Sequence, residues 1–463
     1  MAMQPRPAPL FRPGISFLLL VVLLGLVLIA GGASRADVAG QVIVRSAAWT
    51  ALIVAILAGS RPSFGQSRPV LIFLFAACAL ALLQLVPLPP AVWQALPGRA
   101  ALSEAAAASG QPQPWRPWSI VPGATVNAAA SLIVPFVVLV LVASLTEREK
   151  LWLPGFVLGL IAATTLVGLL QFSGVGFNNL LVNDTPGQVS GTFANRNHFA
   201  LFLAIGCMLA PVWAFLEGRQ PHWRGPVAFG LVLLFTLTIL ASGSRAGMVL
   251  GLLALVLGLI MVRRGIRRSI GRSPRWVFPA LIAGIVGAVA IFVLISIAAD
   301  RAVSIDRVLE LDAGQDLRRR ALPTILEMIR LYFPAGSGLG GFDQVFRMHE
   351  PFDLLSLLYL NHAHNDLLEI VLDTGLPGVL LLAAVLLWWA WASVRAWRAG
   401  SGASHALPKL GSAMLLLVMI ASILDYPART PMIMAMIILA GIWLSDRVDE
   451  RPGPALPRSA QDL

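Results

Sequence analysis

Two histidines at the edge of an apolar run are the residues best suited to acid–base chemistry. His362 and His364 stand in the stretch NHAHND, with Asp366 close behind. A neutral imidazole has a reference pKa of about 6.5, so either histidine could take a proton from a hydroxyl group. A histidine that only forms local hydrogen bonds is one alternative. A metal site made with Asp366 is less favoured, because positions i and i+2 of a helix face apart.

Single arginines at the ends of other apolar runs are the second chemical signal. Arg196 follows GTFAN, Arg245 lies in ASGSRAG, and Arg429 lies in DYPARTP. A guanidinium group binds phosphate through two hydrogen bonds and stays charged. A charge at bilayer depth costs about 2.5–3.5 kcal/mol, so each arginine needs a partner or a task. These positions predict phosphate binding, with simple anchoring at the headgroups as the alternative.

The composition indicates that these residues belong to a membrane protein. Of the 463 residues, 57% are hydrophobic and only 12% are charged, and the mean hydropathy is +0.80. A soluble domain has about a quarter of its residues charged, so this chain has too little polar surface for a soluble globule. Cys78 and Cys207 each lie inside an apolar run, which argues against a disulfide framework or a zinc site.

Twelve apolar runs are read as transmembrane helices, since a span needs about 20 mostly apolar residues. They are 14–32, 41–59, 69–87, 126–145, 151–171, 198–216, 226–242, 246–262, 277–298, 366–391, 410–425 and 431–446. The predicted fold is therefore all-α and integral to the membrane, with about 12 transmembrane helices.

Basic residues give the predicted orientation. The two tails and the connections on their side of the membrane carry 20 of the 34 Lys and Arg residues. Because Lys and Arg in short loops mark the cytoplasmic side, both termini are predicted to be cytoplasmic. The basic stretch 263–275 then anchors the topology against anionic lipid, and nothing supports binding of nucleic acid.

This orientation divides the chain into four regions. They are 1–298 with transmembrane helices 1–9, a large periplasmic loop at 299–365, 366–446 with helices 10–12, and a cytoplasmic tail at 447–463. Four of the six histidines fall on the outward side or its boundary. The chemistry is therefore predicted outside the cytoplasm, where a lipid-carried activated substrate is more plausible than ATP or a nucleotide sugar.

The large loop contains a helical pattern and a glycine run. Residues 317–332 have apolar side chains at helical spacing, which predicts an amphipathic helix that could lie on the bilayer. The run GSGLGG at 336–341 has the form of a dinucleotide-binding motif, but it follows Pro334 rather than a strand. We interpret it as a turn that lets backbone approach a substrate or a neighbouring helix.

The segment that starts at His364 resembles the signature of the O-antigen ligase and polymerase superfamily. That signature is a histidine, then Asn, Ser or Gln, then nine residues and Gly-x-x-Gly, here His364, Asn365, Gly375 and Gly378. Further stretches resemble the superfamily in the same order along the chain. They are QLVPLPP (84–90), WSIVPGAT (118–125), GTFANRNHFA (191–200), SGSR (242–245), Arg318 with GSGLGGF (336–342), and LDYPARTP (424–431).

The resemblance implies a glycosyltransferase of a bacterial inner membrane with its active site in the periplasm. The donor would be a glycan on undecaprenyl pyrophosphate. The acceptor would be lipid A-core in a ligase, a second lipid-linked glycan in a polymerase, or a protein hydroxyl in related enzymes. The family's histidine falls on His364 and its arginines on Arg245 and Arg318, with Arg319 and Arg320 leaving the last position open by one or two residues.

The same motifs supply further candidates for substrate binding. They are Asn195, Arg196, Asn197, Arg319, Arg320, His362, Asn365 and Arg429. No metal and no cofactor is predicted, because a glycosyl pyrophosphate has a good leaving group and arginines can stabilise its developing charge. Direct displacement by a hydroxyl that His364 activates predicts inversion at the anomeric carbon. The forms QLVPLPP, WSIVPGAT and GTFANRNH favour a polymerase-type member over a ligase.

Transport of a lipid-linked glycan is the alternative function. Twelve spans with both ends inside also fit a secondary transporter. The two halves of the chain show no clear symmetry, and the ionisable residues gather at the outward boundary rather than mid-span. Both observations favour transfer over transport.

Overall fold

A computed structural model describes residues 13–175, 177–183, 185–217, 220–271, 313–355, 360–400, 402 and 405–446. The described helices are α1 (Ile15–Ala30), α2 (Ala39–Ala58), α3 (Arg68–Leu83), α4 (Pro90–Gln94), α5 (Ala100–Ala108), α6 (Pro122–Ser131), α7 (Ile133–Ala143), α8 (Glu147–Lys150), α9 (Leu153–Ser173), α10 (Arg196–Phe215), α11 (Arg224–Ser242), α12 (Arg245–Ile270), α13 (Ala313–Tyr332), α14 (Phe342–Arg347), α15 (Asp366–Arg398), α16 (Ala406–Leu424) and α17 (Pro431–Ser445). Short 3-10 turns cover Phe352–Leu354 and Pro427–Arg429. Strands β1 (Pro87–Leu88) and β2 (Arg116–Pro117) pair antiparallel.

Within the described residues, eight stretches of helix are long and apolar enough to cross a membrane, judged by length and composition. They are Ala39–Ala58, Pro122–Ala143, Glu147–Ser173, Arg196–Phe215, Arg224–Ser242, Arg245–Ser269, Asp366–Arg398 and Ala406–Leu424. Helices α1, α3 and α17 are shorter but also apolar. The predicted span 277–298 and the loop residues 299–312 lie outside the described residues. The mostly helical, multi-pass character is confirmed, while the count of twelve and the orientation stay predictions.

Helix α10 lies at the centre of the bundle. Its side chains are apolar on all sides, and a helix of that kind is stable only where other helices cover it. Most of its residues are buried, and α11 and α12 pack along it. Gly247 of α12 lies against Ala200 of α10, so the two helix starts come close together. This close packing brings Arg196 and Arg245, the first residues of α10 and α12, to the same end of the bundle.

Helix α13 confirms the helix predicted at 317–332, although its environment differs from a bilayer surface. Its buried stripe is Ala321, Ile325, Met328 and Tyr332. These side chains join one apolar cluster with Phe342 and Phe346 of α14 and with Leu372 of α15. The stripe therefore packs against protein, and the loop region has a small core of its own.

The glycine run after α13 brings its backbone close to the backbone of α15, as the sequence predicted for a neighbouring helix. Gly338 has φ +109°, and its amide donates to the Asp373 carbonyl at 2.9 Å. The Ser337 amide donates to the Leu372 carbonyl at 2.9 Å. A Cβ on Gly338 would overlap the Ser119 side chain. The run thus fastens α13 to α15 and to the segment that follows β2.

The connection between α3 and α6 also packs on this glycine run. The buried Arg99 side chain donates to the Gly336 carbonyl at 3.0 Å and to the Trp118 carbonyl at 2.9 Å. Gln84 accepts from the Leu339 amide at 2.9 Å and donates to the Asp373 carbonyl at 3.0 Å. The QLVPLPP and WSIVPGAT stretches therefore support the loop that positions α13.

Substituting Gly375 with alanine is expected to lower the stability of the fold. Gly375 interrupts α15 with φ +56°, and its missing side chain leaves room for the Pro334 carbonyl. An L-residue held at positive φ costs about 1–3 kcal/mol, and the overlap adds to that cost. Thermal unfolding in detergent should show a clear loss for Gly375→Ala. Gly159→Ala is the control, because nothing lies within 4 Å of its Cβ position; an equal effect of both would contradict this account.

Candidate active site

Three helix N-termini meet at one cavity. The Asn195 side chain caps α10 by accepting from the Asn197 amide at 2.8 Å. Ser244 caps α12 by accepting from the Gly247 amide at 3.0 Å, and Asn365 caps α15 by accepting from the Leu368 amide at 3.1 Å. Asn and Ser are favoured capping residues because their side-chain oxygens satisfy amides that the helix leaves unpaired. All three caps line a cavity of about 750 Å³.

Eight of the predicted site residues line this cavity. They are His364, Arg245, Arg318, Asn195, Arg196, Asn197, Arg319 and Asn365. Four of the eight are arginines, and helix N-termini carry partial positive charge. The cavity therefore has the electrostatic character of an anion site next to one histidine. Apolar residues, among them Val249, Leu322 and Leu424, line other parts of its wall.

His364 is held firmly at the edge of the cavity. Its backbone has φ +50°, a conformation that non-glycine residues rarely adopt and that is found mainly where surrounding structure enforces it. Its Nδ1 lies 2.9 Å from Oδ1 of Asp425. A neutral imidazole that donates Nδ1–H to a carboxylate has its lone pair on Nε2, so Nε2 is the atom that could accept a proton.

The charges around His364 favour its neutral form. Burial lowers the pKa of His364, whereas the hydrogen bond to Asp425 raises it. The positive charge of Arg318 lowers it further, so the pKa of His364 lies below its ordinary value. For Asp425, burial raises the pKa, but the hydrogen bond from His364 and the nearby histidines hold it well below the usual range. An ionised aspartate therefore orients a neutral histidine, as in hydrolases that use an imidazole base.

Asp425 was not among the predicted site residues, although its motif LDYPARTP was noted. Its Oδ2 accepts from Nδ2 of Asn195 at 2.9 Å and from Nδ2 of Asn197 at 2.8 Å. Asn197 in turn accepts from the Ser244 hydroxyl at 2.7 Å. The GTFANRNH and SGSR motifs thus orient the carboxylate that orients His364. The sequence feature that could have identified Asp425 is its position as a carboxylate at the end of an apolar run.

Tyr426 joins the histidines of the site. Its ring centroid lies 4.3 Å from that of His362, 4.8 Å from that of His364 and 5.1 Å from that of His198. Its hydroxyl forms hydrogen bonds with Asn361 and Asn195. Burial and Asp425 raise the pKa of Tyr426, so its hydroxyl stays protonated. The ring is a rigid wall against which the His364 imidazole packs.

Three predicted binding residues do not line the cavity. His362 lies with Nδ1 2.8 Å from Oε1 of Glu369 and Nε2 3.3 Å from the Ser34 hydroxyl. Arg320 donates to the carbonyl and carboxylate of Asp353 at 2.8 and 3.2 Å. In the structure both side chains contact other parts of the protein, and their role in substrate binding stays a prediction.

Arg429 is the third of these residues, and its surroundings account for its burial. Its nitrogens lie 3.3 Å from Asp366, 3.1 Å from Glu369 and 3.5 Å from Asp373. Burial opposes its charge, but the three carboxylates outweigh burial and raise the pKa of Arg429 above its ordinary value. An arginine already matched by three carboxylates is a poor phosphate ligand. It connects the turn after α16 to the first two turns of α15.

The histidine pair does not form a metal site in the residues that the structure describes. Within those residues, no group of three or more His, Cys, Asp or Glu side chains is placed to hold a metal ion. His362 and His364 instead pair with different carboxylates, Glu369 and Asp425. The alternative of a metal bound by His362, His364 and Asp366 is therefore not supported in this part of the chain.

Comparisons with known proteins agree with the motifs. Residues 229–383 match the model of the family described as O-antigen ligase. The chain is also similar to the exopolysaccharide production protein ExoQ of Rhizobium meliloti (strain 1021), at 27% identity over 277 residues. That match covers 58% of this chain and 60% of the relative, so the chain spans about three fifths of that relative's length. The resemblance found in the motifs is confirmed, and the matched residues 229–383 contain Arg245, Arg318 and His364.

Proposed function

We propose that this protein transfers a glycan from undecaprenyl pyrophosphate to an acceptor hydroxyl on the periplasmic side of a bacterial inner membrane. The observation that carries the proposal is the cavity in which His364, oriented by Asp425, lies beside four arginines. This combination matches the needs of the reaction, because the acceptor must lose a proton and the pyrophosphate must gain negative charge.

In the proposed reaction, Nε2 of His364 takes the proton of the acceptor hydroxyl. The freed oxygen attacks the anomeric carbon from the face opposite the pyrophosphate. A new C–O bond forms as the bond to the pyrophosphate oxygen breaks, so the configuration inverts and undecaprenyl pyrophosphate leaves. General-base help of this kind contributes about 10²–10⁴ in rate.

Arg245 and Arg318 are the proposed pyrophosphate ligands, with Arg196 and Arg319 as further contacts. All four line the cavity, and Arg196 and Arg245 also begin helices whose N-termini face it. Bidentate guanidinium contacts and helix N-termini both stabilise phosphate oxygens without a metal ion. The proposed chemistry is therefore metal-independent and needs no cofactor.

The lipid part of the donor fits the apolar part of the cavity wall. Val249, Leu322 and Leu424 line the cavity and are between 41% and 65% exposed. Exposed apolar side chains beside an anion site suit an amphiphile with a charged head and a hydrocarbon tail. This arrangement favours a lipid-linked donor over a free sugar phosphate.

A second lipid-linked glycan is the acceptor that we favour over lipid A-core. The relative matched above is named an exopolysaccharide production protein, which is nearer to polymerisation than to ligation. The test is a reconstituted assay in EDTA with the host's undecaprenyl-pyrophosphate glycan, with and without lipid A-core. A ladder of products from donor alone would support polymerisation, and a single product that requires lipid A-core would support ligation. Loss of all product in EDTA would contradict metal independence.

Replacing Asp425 with asparagine is expected to lower transfer by about 10- to 100-fold, the size of effect that follows loss of the carboxylate partner of a metal-bound histidine. Asp425 raises the pKa of His364, so its loss should also move the acid limb of the pH–rate profile to lower pH. Asp353→Asn is the matched control, because Asp353 pairs with Arg320 at the surface. A lower rate with an unmoved acid limb would indicate a purely structural role for Asp425.

A further inference from the structure

A second cavity lies on the other flank of α13. It has a volume of about 450 Å³ and is lined by Thr324, Glu327, Met328, Arg330, Leu331 and His349. The α13 residues that line the first cavity are Arg318, Arg319, Leu322 and Ile325. At 3.6 residues per turn, the two sets project from different sides of the helix. The second cavity is therefore separate from the site around His364.

Two charged side chains, Glu327 and Arg330, and the imidazole of His349 line this second cavity. Among the described residues, neither Glu327 nor Arg330 forms an ion pair. Nε2 of His349 lies 2.9 Å from the hydroxyl of the buried Tyr332. The Tyr332 ring packs over Gly98 and lies 5.8 Å from the Arg99 guanidinium, so His349 is held by a fixed part of the fold.

We propose that this cavity is a saccharide subsite, a role that rests on the proposed function. A carboxylate, a guanidinium and an imidazole can each bind sugar hydroxyls, while Leu331, which is 43% exposed, offers apolar surface to the C–H face of a sugar ring. Burial lowers the pKa of His349 and Glu327 opposes that shift, with a net lowering that favours the neutral imidazole. Its Nε2 is engaged by Tyr332, so Nδ1 is the ring atom that binds a sugar hydroxyl.

The position of the subsite fits a glycan that extends from the reaction centre. Glu327 is nine residues beyond Arg318, which corresponds to about 13 Å along the helix axis. A chain of a few sugars attached at the first cavity can cross α13 and reach the second. The proposed ligand of the second cavity is a neutral sugar, which could belong to either the donor glycan or the acceptor glycan.

The test measures binding of a lipid-free oligosaccharide, released from the host's own surface polysaccharide, to the full-length protein in detergent. Saturation-transfer NMR and titration should show binding by the wild type. Glu327→Gln and His349→Ala should each weaken it by about tenfold or more, as expected for losing a hydrogen bond from a charged or buried group. Leu331→Trp should weaken it by filling the cavity. Asp343→Asn, which removes a charge from α14 outside the cavity, is the control.

Equal binding by the wild type and all three cavity variants would overturn the subsite. Transfer assays separate the donor from the acceptor, because repeat number can be varied in one substrate at a time. In the cavity variants, the KM should rise above the wild-type value more for a long substrate than for a short one, provided that the glycan of that substrate occupies the subsite. An equal rise for short and long substrates would also overturn the proposal. Binding that is lost in the variants while no transfer occurs would uphold the subsite and refute the proposed function.

Discussion

Replacing His364 with alanine is expected to lower the rate of glycan transfer by about 10²–10⁴-fold. His364 is the histidine that lines the arginine-rich cavity, and its Nδ1 is engaged by Asp425. Its loss removes the proton acceptor without removing any pyrophosphate ligand. Binding of the lipid-linked donor should therefore stay close to the wild-type value while turnover falls. Single-turnover kinetics and donor binding, measured on the same preparations, would check both statements.

The control for this variant is His405→Ala. His405 precedes α16 and does not line the cavity. It should retain wild-type turnover. Equal turnover by His364→Ala and the wild type would refute the assignment of His364 as the base. A loss that is matched by weaker donor binding would make His364 a binding residue instead.

Replacing Arg318 with alanine is expected to lower transfer by about 10²–10³-fold, the effect of removing one donor to a developing negative charge. Arg318→Lys should recover only part of the loss, because an ammonium cannot form the bidentate contact. The sequence left open which of three consecutive arginines binds pyrophosphate. Arg320→Ala removes an arginine that pairs with Asp353 and does not line the cavity, so it should have a much smaller effect.

The Arg318 variant also has a pH signature. The charge of Arg318 lowers the pKa of His364, so its removal should raise that pKa. The base works only in its neutral form, and activity is lost as pH falls through the pKa. The acid limb of the pH–rate profile should therefore move to higher pH in Arg318→Ala. An unmoved limb, or an Arg320→Ala loss as large as that of Arg318→Ala, would contradict the placement of Arg318.

Much of the membrane architecture could be predicted from the sequence, because a span leaves a local signal of about 20 apolar residues. Eleven of the twelve predicted runs coincide with apolar helices in the described residues. Eight residues of the cavity were also predicted, because they stand in motifs beside apolar runs. Asn195, Ser244 and Asn365 directly precede helices, where Asn and Ser are favoured caps, so three helix starts could have been predicted from the same motifs.

Pairings between distant residues could not be predicted in this way. Arg429 and Arg245 look alike in sequence, as single arginines between two apolar runs, yet Arg429 meets three carboxylates of α15 and Arg245 lines the cavity. Arg99 likewise lies in a loop by sequence, but its side chain is buried and its guanidinium group donates to backbone carbonyls. Asp425 was missed for the same reason, since its role depends on His364, 61 residues away.

In the proposed reaction, the glycan leaves its lipid carrier by covalent transfer. The most direct measurement follows the lipid products and the glycan products of purified, reconstituted protein by mass spectrometry. The wild type should release one undecaprenyl pyrophosphate for each glycosidic bond formed, and His364→Ala should form both products about 10²–10⁴-fold more slowly. Movement of the glycan across the membrane while it stays attached to its lipid, with no pyrophosphate released, would refute covalent transfer and favour a transporter.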